Sequence, residues 1–557
     1  MAARPWAERA LDLVPLALAL WIAVQVLGAF VARIPHPFDL EWMEGGMLAH
    51  AWRLQHHLPL YVEPNPDFVP FIYPPGYSAL LAALGKLFGL GYPLGRLISA
   101  GSTLAAAAAI VFVAVRQTSS WTGGLCGAAC YLGLFRASGG FYDLVRPDAL
   151  GVALTAWSLG LALERRRHAE LASALLLCAA YLVKHNLAAF GLPIVGLLWA
   201  RGGWPVAARF AVASMGSALA ITGWLQLRSS GRFLTYLLEV PGTHPLMFDR
   251  FVPGTPGELS AWLLPSIVAG AGWLVGTASL GRRPSWRWLG VALLAAAGAV
   301  WGWQQPPIRG IPMGPPAAVA LVLASLGAVL GASVSSAISP VGERPSWRWV
   351  AAVGVGGTAL LLAALMRAHY GGFLNVLMPA HWACSLGLAV VVGHVRLRWP
   401  SLATSGATML LLVAQLGWLA RELETESILP TSDDVVAGEA VLEALEQACG
   451  PGPILAPHTA WLPVGLGRPP SIHMIAIWDL NHPGGPFEAQ MVQAMRGAAR
   501  DHYWSCVLQG DGRNRVEYGT LGPYQRDRRL VPPASTLRPK TGWRVRPTEI
   551  LSPAAIP

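Results

Sequence analysis

The chain has 557 residues, of which 54% are hydrophobic and only 13% charged, with a mean hydropathy of +0.46. That balance excludes an ordinary soluble enzyme and points to an α-helical polytopic membrane protein. The formal net charge of +10 does not imply nucleic acid, because many basic residues sit in short loops between apolar runs, where membrane orientation requires them.

Taken in order, the apolar runs give about thirteen spans: 11–31, 93–115, 119–136, 148–164, 169–183, 187–200, 205–228, 259–280, 288–304, 315–338, 349–366, 376–395 and 401–420. The first is long enough to cross a bilayer, so no cleavable signal is expected. Between it and the second lies an outer loop, 32–92. It carries Asp39, Glu41 and Glu44, then a short helix predicted from about Gly46 to His57, then Tyr73-Pro74-Pro75-Gly76-Tyr77. Carboxylates beside a membrane span are costly to bury, and the plain alternative is a solvated acidic loop. The apolar run 77–89 is too short to span and suits a helix lying at the interface.

Orientation follows from the loops. With the N-terminus inside, the short inner loops hold Arg116, Arg165-Arg166-Arg167, Arg201, Arg282-Arg283, Arg344, Arg348, Arg396 and Arg398, as the bias of basic residues to the cytoplasmic side requires. The acids Asp39, Glu41, Glu44, Glu63, Asp67, Asp143, Asp148, Glu239, Asp249 and Glu258 fall outside. The segment Arg-Pro-Ser-Trp-Arg-Trp occurs at 283–288 and again at 344–349. Two spans separate the copies, so both read as anchors on the cytoplasmic face. The long outer loop 229–258 can fold over a site at the membrane surface.

After residue 420 the composition changes. Helical spacing over 434–448 and 485–499, with short strands at 454–456 and 504–508, suggests a small α/β domain spanning 421–557. An odd span count puts it outside, on the periplasmic side of a cell inner membrane. Its last thirty or so residues, rich in Pro and Arg, are expected to be poorly ordered. Of the six cysteines, Cys126 and Cys130 lie one helical turn apart and read as packing residues. Cys449 and Cys506 could pair if their region lies outside the cytoplasm.

An acid-x-x-Glu-Gly pattern after the first span, an amphipathic helix and then Tyr-Pro-Pro resembles the first external loop of GT-C glycosyltransferases, the group of the protein O-mannosyltransferases and aminoarabinose transferases. The resemblance extends to Arg146-Pro147-Asp148-Ala149-Leu150, Lys184-His185-Asn186, Gly371-Gly372-Phe373-Leu374-Asn375, Gly452-Pro453-Ile454-Leu455 and Gly467-Arg468-Pro469-Pro470. Many relatives have an adjacent Asp-Glu pair where this chain spaces its acids as Asp39, Glu41 and Glu44. The resemblance implies transfer of a sugar from a polyprenyl-phosphate donor to a lipid, glycan or protein acceptor on the periplasmic face. A single carboxylate base then suffices, and the anomeric centre inverts.

Such a reaction needs a base, groups that stabilise the departing phosphate, and an apolar path for the lipid. Glu44 is the first candidate for the base and Asp39 the second. Glu41 could instead cap the following helix, and like charges this close raise one pKa. Asp148 reads as a helix N-terminal acid after Pro147, and the resemblance makes it a second acid of the site. Arg146 could bind phosphate or pair with Asp143 or Asp148. Lys184 and His185, between two spans at the outer boundary, could meet the phosphate, or the lysine could merely snorkel. Tyr73 joins the substrate-binding set. His369, Tyr370 and Asn375 form a further outer polar cluster, for which loop or helix-end contacts are the plainer reading. Carboxylates plus phosphates can hold Mg²⁺, but no complete ligand set is readable. The rival reading is a transporter or flippase of lipid-linked glycans. It should place ionisable groups within spans and show repeated halves, and neither pattern is visible. A surface-polysaccharide polymerase or ligase is a third reading, which the acid-rich first loop disfavours.

Overall fold

The computed structural model describes residues 6–164, 166–266, 350–398, 401–511, 521–530 and 537–554. The expected spans 288–304 and 315–338, most of 259–280, and both Arg-Pro-Ser-Trp-Arg-Trp segments lie outside the described residues.

The other expected spans are helical. They are α1 (Trp6–Arg33), α4 (Tyr92–Thr118), α5 (Trp121–Gly133), α6 (Pro147–Ala162), α7 (Ala169–Val183), α8 (Gly191–Gly202), α9 (Trp204–Arg228), α10 (Gly356–Ala368), α11 (Met378–Arg398) and α12 (Leu402–Glu422). In the first loop, α2 (Glu44–Gln55) and α3 (Gly76–Phe88) stand where the short helix and the interfacial segment were expected. Among the described residues five helical stretches are long and apolar enough to cross a membrane: four within α1, α4, α9 and α12, and Leu374–Leu397, which runs into α11.

Local chemistry sets the ends. Pro147 occupies the first turn of α6, where its missing N–H costs nothing. The Ser120 hydroxyl accepts from Gly123 N at 3.1 Å and caps α5. Small residues let helices approach: a Cβ on Gly127 of α5 would sit 2.6 Å from Ala389 Cβ of α11. The bundle packs α4 against α5, α6 and α11, and α1 against α5 and α12.

Polar contacts separate the two ends of the bundle. At one end Arg33 pairs with Asp143 at 3.2 Å and Lys184 meets Asp148. At the other, Arg396 and Thr122 converge on Asp12 at 2.5 and 2.8 Å, and Arg116 pairs with Glu164. Among the described residues, the basic loops around Arg116, Arg166, Arg201 and Arg396 therefore share the second end, and the acidic loops share the first.

The C-terminal region caps the acidic end. It comprises α13 (Ser432–Ala448), β1 (Ile454–Leu455), α14 (Met474–Leu480), α15 (Glu488–Arg500), β2 (Cys506–Gly510), β3 (Tyr524–Arg529) and β4 (Pro547–Pro553). The sheet order is β1-β2-β4-β3; β1 runs parallel to β2, and the other pairs are antiparallel. The segment expected to be poorly ordered thus supplies an inner strand. Its Pro and Arg content misled because β4 itself reads Pro-Thr-Glu-Ile-Leu-Ser-Pro, with its two prolines at the strand ends. Cys449 and Cys506 form a disulfide with Cα atoms 5.2 Å apart, joining the end of α13 to β2. Trp42, Met47 and Phe71 of the first loop share one apolar cluster with Ile472, Met474 and Ile477. Loop 229–258 crosses over both: the Tyr236 hydroxyl donates to Val62 O at 2.8 Å, and the Tyr236 ring stacks on Phe487.

Candidate active site

The three acids of the first loop have three different environments. Glu44, at the start of α2, is fully buried. Its Oε2 accepts from Leu40 N at 2.7 Å and Arg96 Nη2 at 2.6 Å, and its Oε1 from Val145 N at 2.9 Å and Arg96 Nε at 3.0 Å. Burial alone would raise its pKa, but Arg96 and these backbone donors outweigh it and hold the carboxyl below its usual range. A carboxylate with every lone pair engaged and a lowered pKa is a poor proton acceptor. These contacts fasten the loop to α4 through Glu44, the first candidate for the base. Asp39 is half-buried; its Oδ1 accepts from Gly45 N at 2.8 Å, and its carboxyl bonds Tyr92. Burial and the nearby Glu44 push its pKa well up.

Glu41 points the other way. Its Oε2 accepts from Met43 N at 3.2 Å, just before α2, whose N-cap has no side-chain cap hydrogen bond. The same oxygen lies 3.5 Å from Arg146 Nη1. Burial raises its pKa to about 7 against the pull of Arg146, and Glu44 adds to the rise. The C-terminal region closes over it. Lys540 N and Thr541 N donate to Leu40 O at 2.8 and 3.2 Å. Gly542 has a φ of +68°, and a Cβ there would sit 2.6 Å from Glu41 Oε1, so only glycine fits both the conformation and the space.

Arg146 is the hub of a second group. It sits at the extended N-cap of α6 and is buried. Its Nη2 donates to Tyr73 Oη at 3.2 Å, its Nη1 lies 2.6 Å from Met43 Sδ, and its Nε lies 3.7 Å from Asp148 Oδ2. Asp143, its other expected partner, pairs instead with Arg33. Asp148 Oδ1 accepts from Lys184 Nζ at 2.5 Å and from Asn375 Nδ2 at 2.8 Å. Among the described residues neither Arg146 Nε nor Asp148 Oδ2 has a hydrogen-bond partner. Lys184 lies in an extended residue where α7 gives way to the 3₁₀ turn His185–Phe190, and its side chain is 13% exposed. A small cavity opens among Asp148, Lys184, Asn186 and Asn375, with Leu187 and Leu362 as apolar walls.

Six expected site residues therefore converge: Glu41, Tyr73, Arg146, Asp148, Lys184 and Asn375. Others stand apart from that group. Tyr370 is 52% exposed, its ring is edge-on to His482, and its carbonyl accepts from Arg250. His369 Nε2 lies 3.1 Å from His244 Nδ1. Among the described residues His185 Nδ1 has no hydrogen-bond partner, and the neighbouring side chain, Lys184, is the one that reaches Asp148.

Sequence reasoning missed several neighbours. Arg96 lies inside an apolar span with no local motif around it. Asp479 of α14 is mostly buried; burial raises its pKa to about 8 against the pull of the Arg146 charge. Its backbone carbonyl accepts from His244 Nε2 at 2.9 Å. Beside it, Trp42, Trp478 and Trp543 form an aromatic cluster, with centroids 5.4 Å apart for Trp42–Trp478 and for Trp478–Trp543. Trp543 is 48% exposed. Trp478, Asp479 and Trp543 are more than four hundred positions from Glu41, and the abundance of tryptophan in this chain hid the tryptophans among interfacial anchors. Among the described residues no group of three or more His, Cys, Asp and Glu side chains is arranged to hold a metal ion.

No protein-family model matches the chain, and no curated protein matches it. Among solved structures it is similar to ArnT from Cupriavidus metallidurans in the apo state, at 17% identity over 96% of this chain and 97% of that one, with a TM-score of 0.44. The same protein bound to undecaprenyl phosphate aligns at 16% identity over 96% of this chain and 98% of that one, with a TM-score of 0.46. The arabinofuranosyltransferase AftD from Mycobacteria aligns at 15% identity over 97% of this chain and 40% of that one, with a TM-score of 0.45.

Proposed function

We propose that the chain is a membrane glycosyltransferase that moves a sugar from a polyprenyl-phosphate donor to an acceptor hydroxyl on the outer face of the cell membrane. The observation that carries this reading is the convergence of two cations, Arg146 and Lys184, on one partly unsatisfied carboxylate, Asp148, within reach of a second buried carboxyl whose pKa is raised, Glu41. The resemblance of the first-loop and Arg146-Pro147-Asp148 segments to GT-C enzymes supports the same chemistry.

In this reading Glu41 takes the proton of the acceptor hydroxyl as the acceptor oxygen attacks the anomeric carbon. The bond from that carbon to the phosphate oxygen breaks, its electron pair leaves with the polyprenyl phosphate, and the configuration inverts. Arg146 and Lys184 meet the growing phosphate charge at the end of the apolar bundle, in a medium where such contacts are stronger than in water. Asp148 and Asn375 orient the Lys184 ammonium, and Asp148 gives up part of its hold on it when phosphate arrives. A transfer assay on purified protein against a panel of polyprenyl-phosphate sugars tests the reading; donor flipping without any transfer would favour the transporter reading instead.

Lys184 separates phosphate binding from snorkelling. Lys184→Gln is expected to weaken donor binding and slow transfer by roughly tenfold or more, the scale of losing one charged contact to a phosphate, while Lys184→Arg keeps part of both. Wild-type donor affinity in the glutamine variant would reduce Lys184 to an anchor for Asp148.

Orientation is proposed from the basic loops: N-terminus cytoplasmic, acidic end and C-terminal domain outside. A periplasmic reporter fused after residue 421 is expected to be active. A signal from a cytoplasmic reporter at that point would place the whole acidic end on the inner face.

A further inference from the structure

The end of the bundle away from Arg146 carries a groove that the proposed transfer reaction does not use. It is lined by Arg166, Arg167, Arg201 and Arg209, with Glu164 and Glu170 on its walls. Both acids are already engaged. Arg116 meets Glu164 with two hydrogen bonds of 2.8 Å each, and Arg209 meets Glu170 at 2.9 Å. The groove is therefore left with positive charge. Arg166 comes no nearer to Glu164 than 3.9 Å, and its side chain is 86% exposed. Among the described residues Arg167 donates only to the neighbouring His168 ring.

Two further features say what kind of anion fits. Trp199 and Trp204 flank the groove on α8 and α9 with their side chains exposed, the placement expected at a membrane–water boundary. From that level α7 and α9 present Leu175, Val212, Met215 and Leu219 outward, and only 17% of the apolar window of α9 is buried inside the protein. A phosphate beside the arginines would have bare apolar helix below it, which suits acyl chains. Basic loops also serve orientation alone, but orientation does not require them to line one groove among the ends of four helices.

We propose that this groove holds the phosphate headgroup of an anionic phospholipid, with its acyl chains along the outer faces of α7 and α9. The site lies at the opposite end from Glu41 and Lys184 and stands whether or not the chain is a transferase. The test titrates purified full-length protein in detergent with phosphatidylglycerol, phosphatidylcholine or inorganic phosphate while following thermal unfolding, and compares wild type with Arg166→Gln/Arg167→Gln. Each arginine at an anionic lipid surface corresponds to about a fivefold change in affinity. Phosphatidylglycerol is expected to stabilise wild type at concentrations at least tenfold below phosphatidylcholine, and the double variant is expected to lose most of that preference. Added salt should weaken the wild-type preference. Equal stabilisation by both lipids, equal stabilisation by inorganic phosphate alone, or an unchanged preference in the double variant would each overturn the proposal. The two substituted side chains are exposed and lie outside the bundle core, so the variant is expected to fold; its melting temperature without added lipid checks this directly.

Discussion

Glu41→Gln is expected to lower turnover by roughly a hundredfold or more, the usual loss when a general base is removed, while donor binding and thermal stability change little. The reasoning rests on position first. Of the first-loop acids, Glu41 is the one whose carboxyl faces Arg146; Glu44 is fully engaged by Arg96 and backbone donors, and Asp39 holds Gly45 and Tyr92. The pH profile supplies a readout that mere packing would not move. Burial raises the Glu41 pKa to about 7, and a base works only when ionised. Wild-type activity should therefore be full above about 7 and fall about tenfold per unit below it. The acidic limb should vanish in Glu41→Gln, whose residual rate no longer depends on that proton. A glutamine variant within a few-fold of wild type, or one that keeps the acidic limb, would move the role of base elsewhere. Asp479, with its pKa raised to about 8 beside Arg146, is then the next carboxyl to substitute.

Much of the fold was legible because the bilayer simplifies the code. Apolar runs marked the helices, and basic loops marked one end of the bundle, which is the end where Arg116, Arg166, Arg201 and Arg396 lie. Short-range chemistry was also readable: the turn into α2, Pro147 opening α6, and the lysine between α7 and α8 all stood where local rules put them. What could not be read was which partner each charge would choose. Glu44 was the first candidate for the base, yet its partner is Arg96, which lies 52 positions away in an apolar span. The cover over Glu41 comes from Lys540 to Gly542, within a segment whose composition suggested poor order. Such pairings depend on how helices stack around α4, and no periodicity in one chain encodes them. Asp148 is the intermediate case. Its place at the start of α6 follows from sequence, whereas its hold on both Lys184 and Asn375 needs three segments to meet.

Glu44→Gln is expected to destabilise the protein by about 3–5 kcal/mol, the range for breaking a buried ion pair from one side. Arg96 would keep its charge with no water to receive it, since both side chains are wholly buried. Arg96 also holds the loop by its backbone, donating to Arg33 O, His36 O and Phe38 O at 3.1, 2.5 and 2.6 Å. Arg96→Met should therefore be at least as damaging, because it takes the guanidinium donors from those carbonyls and leaves the buried Glu44 carboxylate with backbone donors and no cation, each lost contact costing about 1–3 kcal/mol. The double variant Glu44→Met/Arg96→Met should recover part of the loss, because no charge is then left buried. It should not recover all of it, since Leu40 N and Val145 N lose their acceptor as well. Thermal unfolding of detergent-solubilised protein measures these differences. Activity then divides the two roles that a first-loop acid can play. If Glu44 is a fastener, the activity of Glu44→Gln at low temperature should track the folded fraction and keep the wild-type acidic limb. A Glu44→Gln protein with wild-type stability, no activity and undisturbed donor binding would restore Glu44 as the base and leave Glu41 as the residue that only steadies Arg146.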